Sequence, residues 1–467
     1  MKESKLENKN NRFLLIIYIF LFLFISLTAY LCYFVTVKGE KFANNAYNPR
    51  INSLEKNVIR GDILASDGTV LAHTEYTEGK KQRVYPQGEL FSHVVGYTDK
   101  GMSGLELNSN KTLLSSHDFI ADKVKNDVSG VKNQGDKIIT TLDPTLQKVC
   151  YDAITTEKGA AVAIDPETGA ILAEVSKPSF NPNTIATDWS TVSSGTDSAL
   201  INRAASGLYP PGSTFKIITA LSYLRDGGSV DDTFDCESSY KEGGYTVHCA
   251  HNIRHGHQTL KQAFANSCNV SFSKIGLSLG NGILRKTAEE FGFNEKIDTD
   301  QNITKSRFLL GDKESKSAIM ATSFGQGQTL VTPMQMCLVS ATVANDGTMM
   351  KPYLIDKVKN SKGDTVKNTY SEELYNIMSS SEVSTMKDMM RSVCTSGTAK
   401  SVFSRVTKYD AYGKTGTAEF NSKGGTHSWF TGFATNGEKT IAIAVILEDT
   451  NLHAYTSAEK IFSAYFN

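Results

Sequence analysis

The stretch YPPGSTFKIITA, Tyr209 to Ala220, sets Ser213 three residues ahead of Lys216 in an otherwise apolar run. Pro210, Pro211 and Gly212 cannot sit inside a helix, so a helix is predicted to begin at or beside Ser213. Three residues is about one turn, which returns Lys216 to the helix face that carries Ser213. Phe215 and Ile217-Ile218 flank the lysine. Desolvation among them would lower its proton affinity and let it act as a general base toward the hydroxyl. The helix N-terminus would offer backbone N–H groups and a positive dipole end to a developing oxyanion. A serine at such a position also commonly caps a helix, and this stretch alone leaves both readings open. Ser-x-x-Lys recurs, for example at Ser53–Lys56, Ser271–Lys274 and Ser384–Lys387, so the motif needs partners.

Two partners follow in the chain. ANSCNVSF carries Ser267 and Asn269, although Ser-x-Asn also recurs, at Ser179–Asn181. GKTGTAEF carries Lys414, Thr415, Gly416 and Thr417, and Lys-Thr-Gly occurs once. Read blandly, this is a turn before a strand. Read chemically, Gly413 and Gly416 let a substrate backbone lie against a strand edge, Thr415 and Thr417 bind a carboxylate, and Lys414 supplies charge.

These residues must be held by a larger frame. Residues 38 to about 145 are polar, with short extended runs such as RGDILASDGTVLAHT, where Asp67-Gly68 reads as a hairpin turn. They predict an extended, β-rich region rather than a dense globule. In GDKIITTLDPTLQKV, Asp143 is the expected cap and Pro144 the first residue of a helix, and the domain boundary is placed there. GAAVAIDPETGAILAEVSKP predicts two strands around Asp165–Gly169, and Asn436-Gly437 predicts a second hairpin. Helical stretches are expected from about 213 to 292 and between 315 and 400, with a closing helix at 457–466. The expected class is α+β, an antiparallel sheet built from both ends of the segment and covered by helices.

At 467 residues the chain predicts at least two domains, and its 49 basic and 49 acidic residues give no argument for nucleic acid. Phe13 to Val37 carries no charge. As a helix it would rise about 37 Å, more than a hydrocarbon core of roughly 30 Å. No Ala-x-Ala-like cleavage site follows, and Lys2, Lys5, Lys9 and Arg12 precede it. A single anchor is expected, with residues 1–12 cytoplasmic and everything after Lys38 outside. The seven cysteines are odd in number and dispersed, which is no disulfide framework. Cys236 and Cys249 are the one pair worth testing for a bridge. The nearby His248, His251, His255 and His257 make zinc imaginable without matching a regular ligand spacing. A polar surface loop ranks first there, a disulfide second and zinc third. Cys268, between Ser267 and Asn269, is expected to be buried and inert.

Ser-x-x-Lys, Ser-x-Asn and Lys-Thr-Gly in this order resemble the trio of penicillin-binding proteins and class A β-lactamases. NRAASGLYPPGSTFK, FGQGQTLVTPMQM, ATVANDGTMMKP and HSWFTGFA extend the resemblance, and RGDILASDGTVLAHT with VVGYTDKGMSGLELNSNKTLL resembles a class B pedestal. The similarity runs over nearly all of residues 50–467, most closely to a class B penicillin-binding protein. It implies a penicillin-binding transpeptidase (serine β-lactamase-like) fold: the antiparallel sheet with its helices plus an all-helical subdomain. The implied order is a tail (1–12), a transmembrane anchor (13–37), a dimerisation-like pedestal (38–145) and a transpeptidase domain (146–467). It further implies Ser213 as nucleophile on a peptidoglycan stem peptide, Lys216 as base, Ser267 as proton relay and Lys414 setting the local field. Asn269 would bind the substrate amide and Thr415 and Thr417 its carboxylate, beside Gly416, with Ser213 and Thr417 N–H groups as oxyanion hole. β-Lactams would acylate the same serine. No metal or organic cofactor is implied, and the implied partner is a membrane glycan polymerase of the SEDS family. The alternatives are a D,D-carboxypeptidase or β-lactam hydrolase of the same fold, and a non-catalytic assembly scaffold.

Overall fold

The computed structural model describes residues 2–39, 54–77, 80–311, 313–420 and 425–467, with the side chains of 2–12 and 37 left aside. Ser53 and the first part of the expected pedestal lie outside these. Helix α1 (Lys2–Tyr33) carries the apolar run. Phe13–Thr36, with mean hydropathy 2.6 and none of its apolar window buried, is the one segment among the described residues long and apolar enough to cross a membrane.

Strands β1 (Ile63–Leu64) and β2 (Val70–Thr77) pair antiparallel around Asp67-Gly68, with Gly68 at φ 89°, where a side chain would be strained. Next come β3 (Lys80–Val84), β4 (Lys137–Thr140) and helix α2 (Pro144–Ala153). The Asp143 carboxylate caps α2 through the N–H groups of Thr145 and Leu146, as the sequence predicts. Strands β5 (Gly159–Ile164) and β6 (Ile171–Lys177) form the hairpin expected around residues 165–169.

Helix α3 (Lys216–Arg225) follows the Ser213 turn. The expectation of helix through to 292 then fails. Residues 233–259 instead form β7 (Thr233–Cys236) paired with β10 (Gly256–Thr259), and a hairpin of β8 (Ser239–Glu242) and β9 (Tyr245–His248). Gly243 and Gly244, both at positive φ, make the hairpin turn, and a helix has no place for two such residues. Helices resume with α4 (Leu260–Ala265), α5 (Asn269–Glu290, broken at Gly280) and α6 (Pro333–Ala344).

Strands β11 (Ile355–Lys359) and β12 (Thr365–Asn368) turn back to the pedestal. They complete a six-stranded sheet of order β12-β11-β4-β1-β2-β3, which draws strands from both sides of residue 145. Helix α7 (Ser380–Thr395), strands β13 (Asp410–Glu419), β14 (Thr426–Thr435) and β15 (Thr440–Leu447), and helix α8 (Ala454–Tyr465) finish the chain. The central sheet runs β13-β14-β15-β5-β6, antiparallel throughout, so both ends of the segment do meet in it. Every residue from Ile441 to Leu447 is buried, which requires cover on both faces of β15. Helices α6 and α8 pack against that strand, and α2 packs on α8. Strand β13 is one edge and β6 the other.

Candidate active site

Residues Gly212–Phe215 form one short 3-10 turn, and α3 starts at Lys216. The hydroxyl that closes this turn belongs to Thr214, which donates to Pro211 O at 2.7 Å. Ser213 is therefore free of the capping duty, and its Oγ lies 2.9 Å from Lys216 Nζ. Gly212 sits at φ 54°, and a Cβ there would stand 2.5 Å from Thr417 O. That close approach sets the serine turn directly against β13.

Lys216 is fully buried. Its Nζ has Ser267 O and Asn269 Oδ1 each at 2.7 Å, Ser213 Oγ at 2.9 Å and Ser267 Oγ at 3.3 Å. Burial pushes its pKa down to about 7, against the pull of Cys268 and Cys249. A neutral amine has two N–H donors and one lone pair. The two carbonyl oxygens at 2.7 Å are pure acceptors and take both donors. The lone pair is left to face the Ser213 hydroxyl, which is the geometry a general base needs.

Ser267 holds a left-handed φ of 57°, uncommon for a residue with a side chain. Its hydroxyl lies 2.8 Å from Nζ of Lys414. Lys414 is fully buried too, and burial first, then the neighbouring Lys216, hold its pKa well below the usual lysine value. Ser267 Oγ thus bridges two desolvated amines. Asn269 donates through Nδ2 to His248 O at 2.9 Å, which fixes its amide with Oδ1 toward Lys216.

On the edge strand β13, Thr417 is exposed and Thr415 half-buried. The Thr415 hydroxyl meets that of Thr398 at 2.6 Å. Thr398 was invisible to motif reading, since it lies after α7 in a stretch with no spacing signal. Gly416 takes the role of a packing residue: a Cβ there would meet Thr214 Cγ2 and Trp429 Cβ at 3.0 Å. Gly413 differs from expectation. The space beside it is filled by the Phe430 ring, at 2.4 Å from a hypothetical Cβ, so its smallness serves the core and not a substrate. Trp429 Nε1 donates to Pro210 O at 3.1 Å and ties the serine turn to β14. The structure thus gathers Ser213, Lys216, Ser267, Asn269 and Lys414 in one bonded group, with Thr415, Gly416 and Thr417 on the strand beside it.

The stretch His248–His257 is largely exposed, as the polar surface loop predicts, but Cys236 and Cys249 themselves are buried beneath the small strands. Their sulfurs are 3.6 Å apart and both are free thiols. Cys268 is also fully buried, as expected.

Comparison with known proteins bears on this geometry. Residues 159–467 match the penicillin binding protein transpeptidase domain, and residues 60–138 match the penicillin binding protein A dimerisation domain. The peptidoglycan D,D-transpeptidase PbpA of Mycolicibacterium smegmatis is 31% identical over 439 residues, covering 86% of each chain. The D,D-transpeptidase domain of a peptidoglycan glycosyltransferase from Eggerthella lenta superposes with a TM-score of 0.80 at 31% identity, over 88% of this chain and 98% of that one. Penicillin-binding protein A of M. tuberculosis, solved as an imipenem acyl-enzyme, gives 0.81 at 27% identity, over 88% and 100%. The chain belongs to the penicillin-binding protein transpeptidase family, in its class B branch.

Proposed function

We propose that the protein is a membrane-anchored serine D,D-transpeptidase that cross-links peptidoglycan stem peptides and is acylated by β-lactams. The observation that carries this is the Lys216 amine, desolvated and 2.9 Å from Ser213 Oγ with both its N–H donors occupied. Lys216 takes the Ser213 proton as Oγ attacks the penultimate D-Ala carbonyl. The backbone N–H groups of Ser213 and Thr417 receive the oxyanion. Ser267, bridging Lys216 and Lys414, returns a proton to the departing D-Ala. Asn269 binds the substrate amide, while Thr415 and Thr417 with the neighbouring Gly416 receive the terminal carboxylate on the free edge of β13, where an extended peptide can add as a strand. An acceptor amine then resolves the acyl-enzyme into the cross-link.

Phe13–Thr36 serves in this reading as a single-pass anchor with residues 1–12 in the cytoplasm and the catalytic domain outside. The boundary between pedestal and transpeptidase domain falls at about 145. On the pedestal, helix Ile120–Val128 leaves Ile120, Val124 and Val128 exposed at helical spacing. This apolar stripe is the surface offered to a SEDS-family glycan polymerase. Co-purification with that polymerase that survives Ile120→Asp with Val124→Asp would remove the stripe from the contact.

The reaction is tested with a D-Ala-D-Ala stem peptide and an amine acceptor. Release of D-Ala with cross-linked product supports the transpeptidase. Release with hydrolysed peptide alone would make the enzyme a carboxypeptidase.

A further inference from the structure

Past Thr417, the edge of β13 is already occupied. The Gln326 side-chain amide donates through Nε2 to Glu419 O at 3.3 Å and accepts through Oε1 from Glu419 N at 3.0 Å. A carboxamide has the donor and the acceptor of a peptide group. It therefore takes both main-chain groups of one residue, as an added strand would. At the other end of β13, Arg391 Nη1 donates to Ala411 O at 3.0 Å. Ala411, Thr417 and Glu419 are even numbers of positions apart, and the main-chain groups of a strand alternate in direction. Those of Thr417 thus face the side that Gln326 and Arg391 cover. Two side chains bracket the edge, and the exposed Thr417 lies between them.

The amide is held in place by the turn that carries it. Gln326 N donates to Ala321 O at 2.9 Å, and Gly212 N donates to Gly325 O at 2.9 Å. Gly325 sits at φ 82°, and a Cβ there would stand 1.9 Å from Gly212 O. The strap of residues 321–326 therefore rests on the serine turn, which itself rests on Thr417. Gln326 is half-buried. Its reach to Glu419 is set by the same contacts that set Ser213 against β13.

We propose that Gln326 is an end-stop: it closes β13 at Glu419, so that a donor peptide pairs its main chain with Thr417 alone and leaves the strand there. In antiparallel pairing, the residue whose carbonyl is attacked takes both main-chain groups of Thr417. The residue two places before it would take those of Glu419, about 7 Å further along. With Gln326 in place that second pair is refused. The enzyme then reads the attacked D-Ala by its main chain and does not read the upstream backbone in that way. Donors whose upstream linkage is not that of an α-peptide strand are accepted as well as those whose linkage is. Gln326 is thus a positioning residue that sets specificity. The inference deepens the transpeptidase reading and rests on strand addition of the donor to β13.

The test follows acylation of Ser213 in the full chain in detergent, by mass spectrometry, with a synthetic α-linked peptide ending in D-Ala-D-Ala. Two analogues each replace one amide by an ester, which removes one N–H. The inner ester removes the N–H that meets Thr417 O, and the outer ester the N–H that would meet Glu419 O. In wild type the inner ester should lower kcat/KM about two- to tenfold, the contribution of one hydrogen bond, and the outer ester should leave it unchanged. In Gln326→Ala the outer ester should cost about as much as the inner one, a change that mere loss of stability does not produce. The Glu419 N–H should exchange slowly with solvent in wild type and at least about tenfold faster in Gln326→Ala, read by fragmentation mass spectrometry. Sensitivity of wild type to the outer ester, or indifference of Gln326→Ala to it, would overturn the end-stop. So would a fast-exchanging Glu419 N–H in wild type, a readout that needs no variant to fold. A donor that acylates wild type but ignores both esters would overturn strand addition and the end-stop with it. If no donor acylates wild type, the serine mechanism fails instead, and the exchange at Glu419 judges the closure.

Discussion

In the proposed mechanism the chemistry rests on Lys216, and its state has a measurable sign. Protonated, the amine has no lone pair for Ser213; deprotonated, it has one. Acylation should therefore rise with pH through about 7, the value to which burial brings this group. The charged or titratable neighbours are Lys414, which opposes a second positive charge, and Cys268 and Cys249, which favour one. A stopped-flow pH profile of penicillin acylation with a midpoint near the ordinary lysine value, about 10.4, would contradict the assignment. Lys216→Ala should cost about 100- to 10,000-fold in that rate while leaving the fold intact, as checked by circular dichroism. Much of this was legible in the sequence. The spacing of Ser213 and Lys216 and the apolar flanks foretold that the two meet across one turn and that the lysine is buried, although the turn is 3-10 and α3 begins only at Lys216. The nearness of Cys236, Cys249 and a histidine was legible, but the partnership with Thr398 and the approach of Cys268 to those cysteines were not. Both depend on loops meeting in space, and no local period records that.

At the level of elements, the serine turn and the edge strand work as one unit. Gly212 at φ 54° lies against Thr417, so Gly212→Ala meets both backbone strain and a carbonyl 2.5 Å from the new Cβ. The expected result is a loss of acylation well beyond any loss of melting temperature, because the clash separates the two N–H groups of the proposed oxyanion hole. Equal loss in both would mean that the glycine serves stability alone. Elements with strong turn chemistry were read correctly: Asp67-Gly68, Asp165 to Gly169 and Asn436-Gly437 each close a hairpin. Residues 233–259 were misread as helical because their strands are four residues long and carry too little alternation to outweigh the helices around them. Gly413 was misread for another reason. Sequence can show that a residue is small, but not which neighbour, here the Phe430 ring, takes the space.

Across the whole molecule, the pedestal is tied to the catalytic body by strands that return to it. β11 and β12 complete its sheet, a pairing more than 200 residues from β4 that no turn signal foretells. Within the pedestal, buried Glu106 accepts from Arg60 Nε at 2.5 Å and Arg83 Nε at 2.7 Å. Burial alone would raise its pKa, but the two guanidinium groups hold it below the usual carboxylate range. Glu106→Gln leaves two buried cations without a counter-charge and should cost about 3–5 kcal/mol of local stability, read by hydrogen exchange over residues 60–114. Exchange unchanged there would show that water reaches the pair.

The serine mechanism is tested most directly by treating the full chain in detergent with a fluorescent penicillin, beside Ser213→Ala, followed by peptide mass mapping. Stable label on the peptide holding Ser213, absent from the variant, is the expected result. A folded wild type that takes no label, or a label that persists in Ser213→Ala, would contradict it.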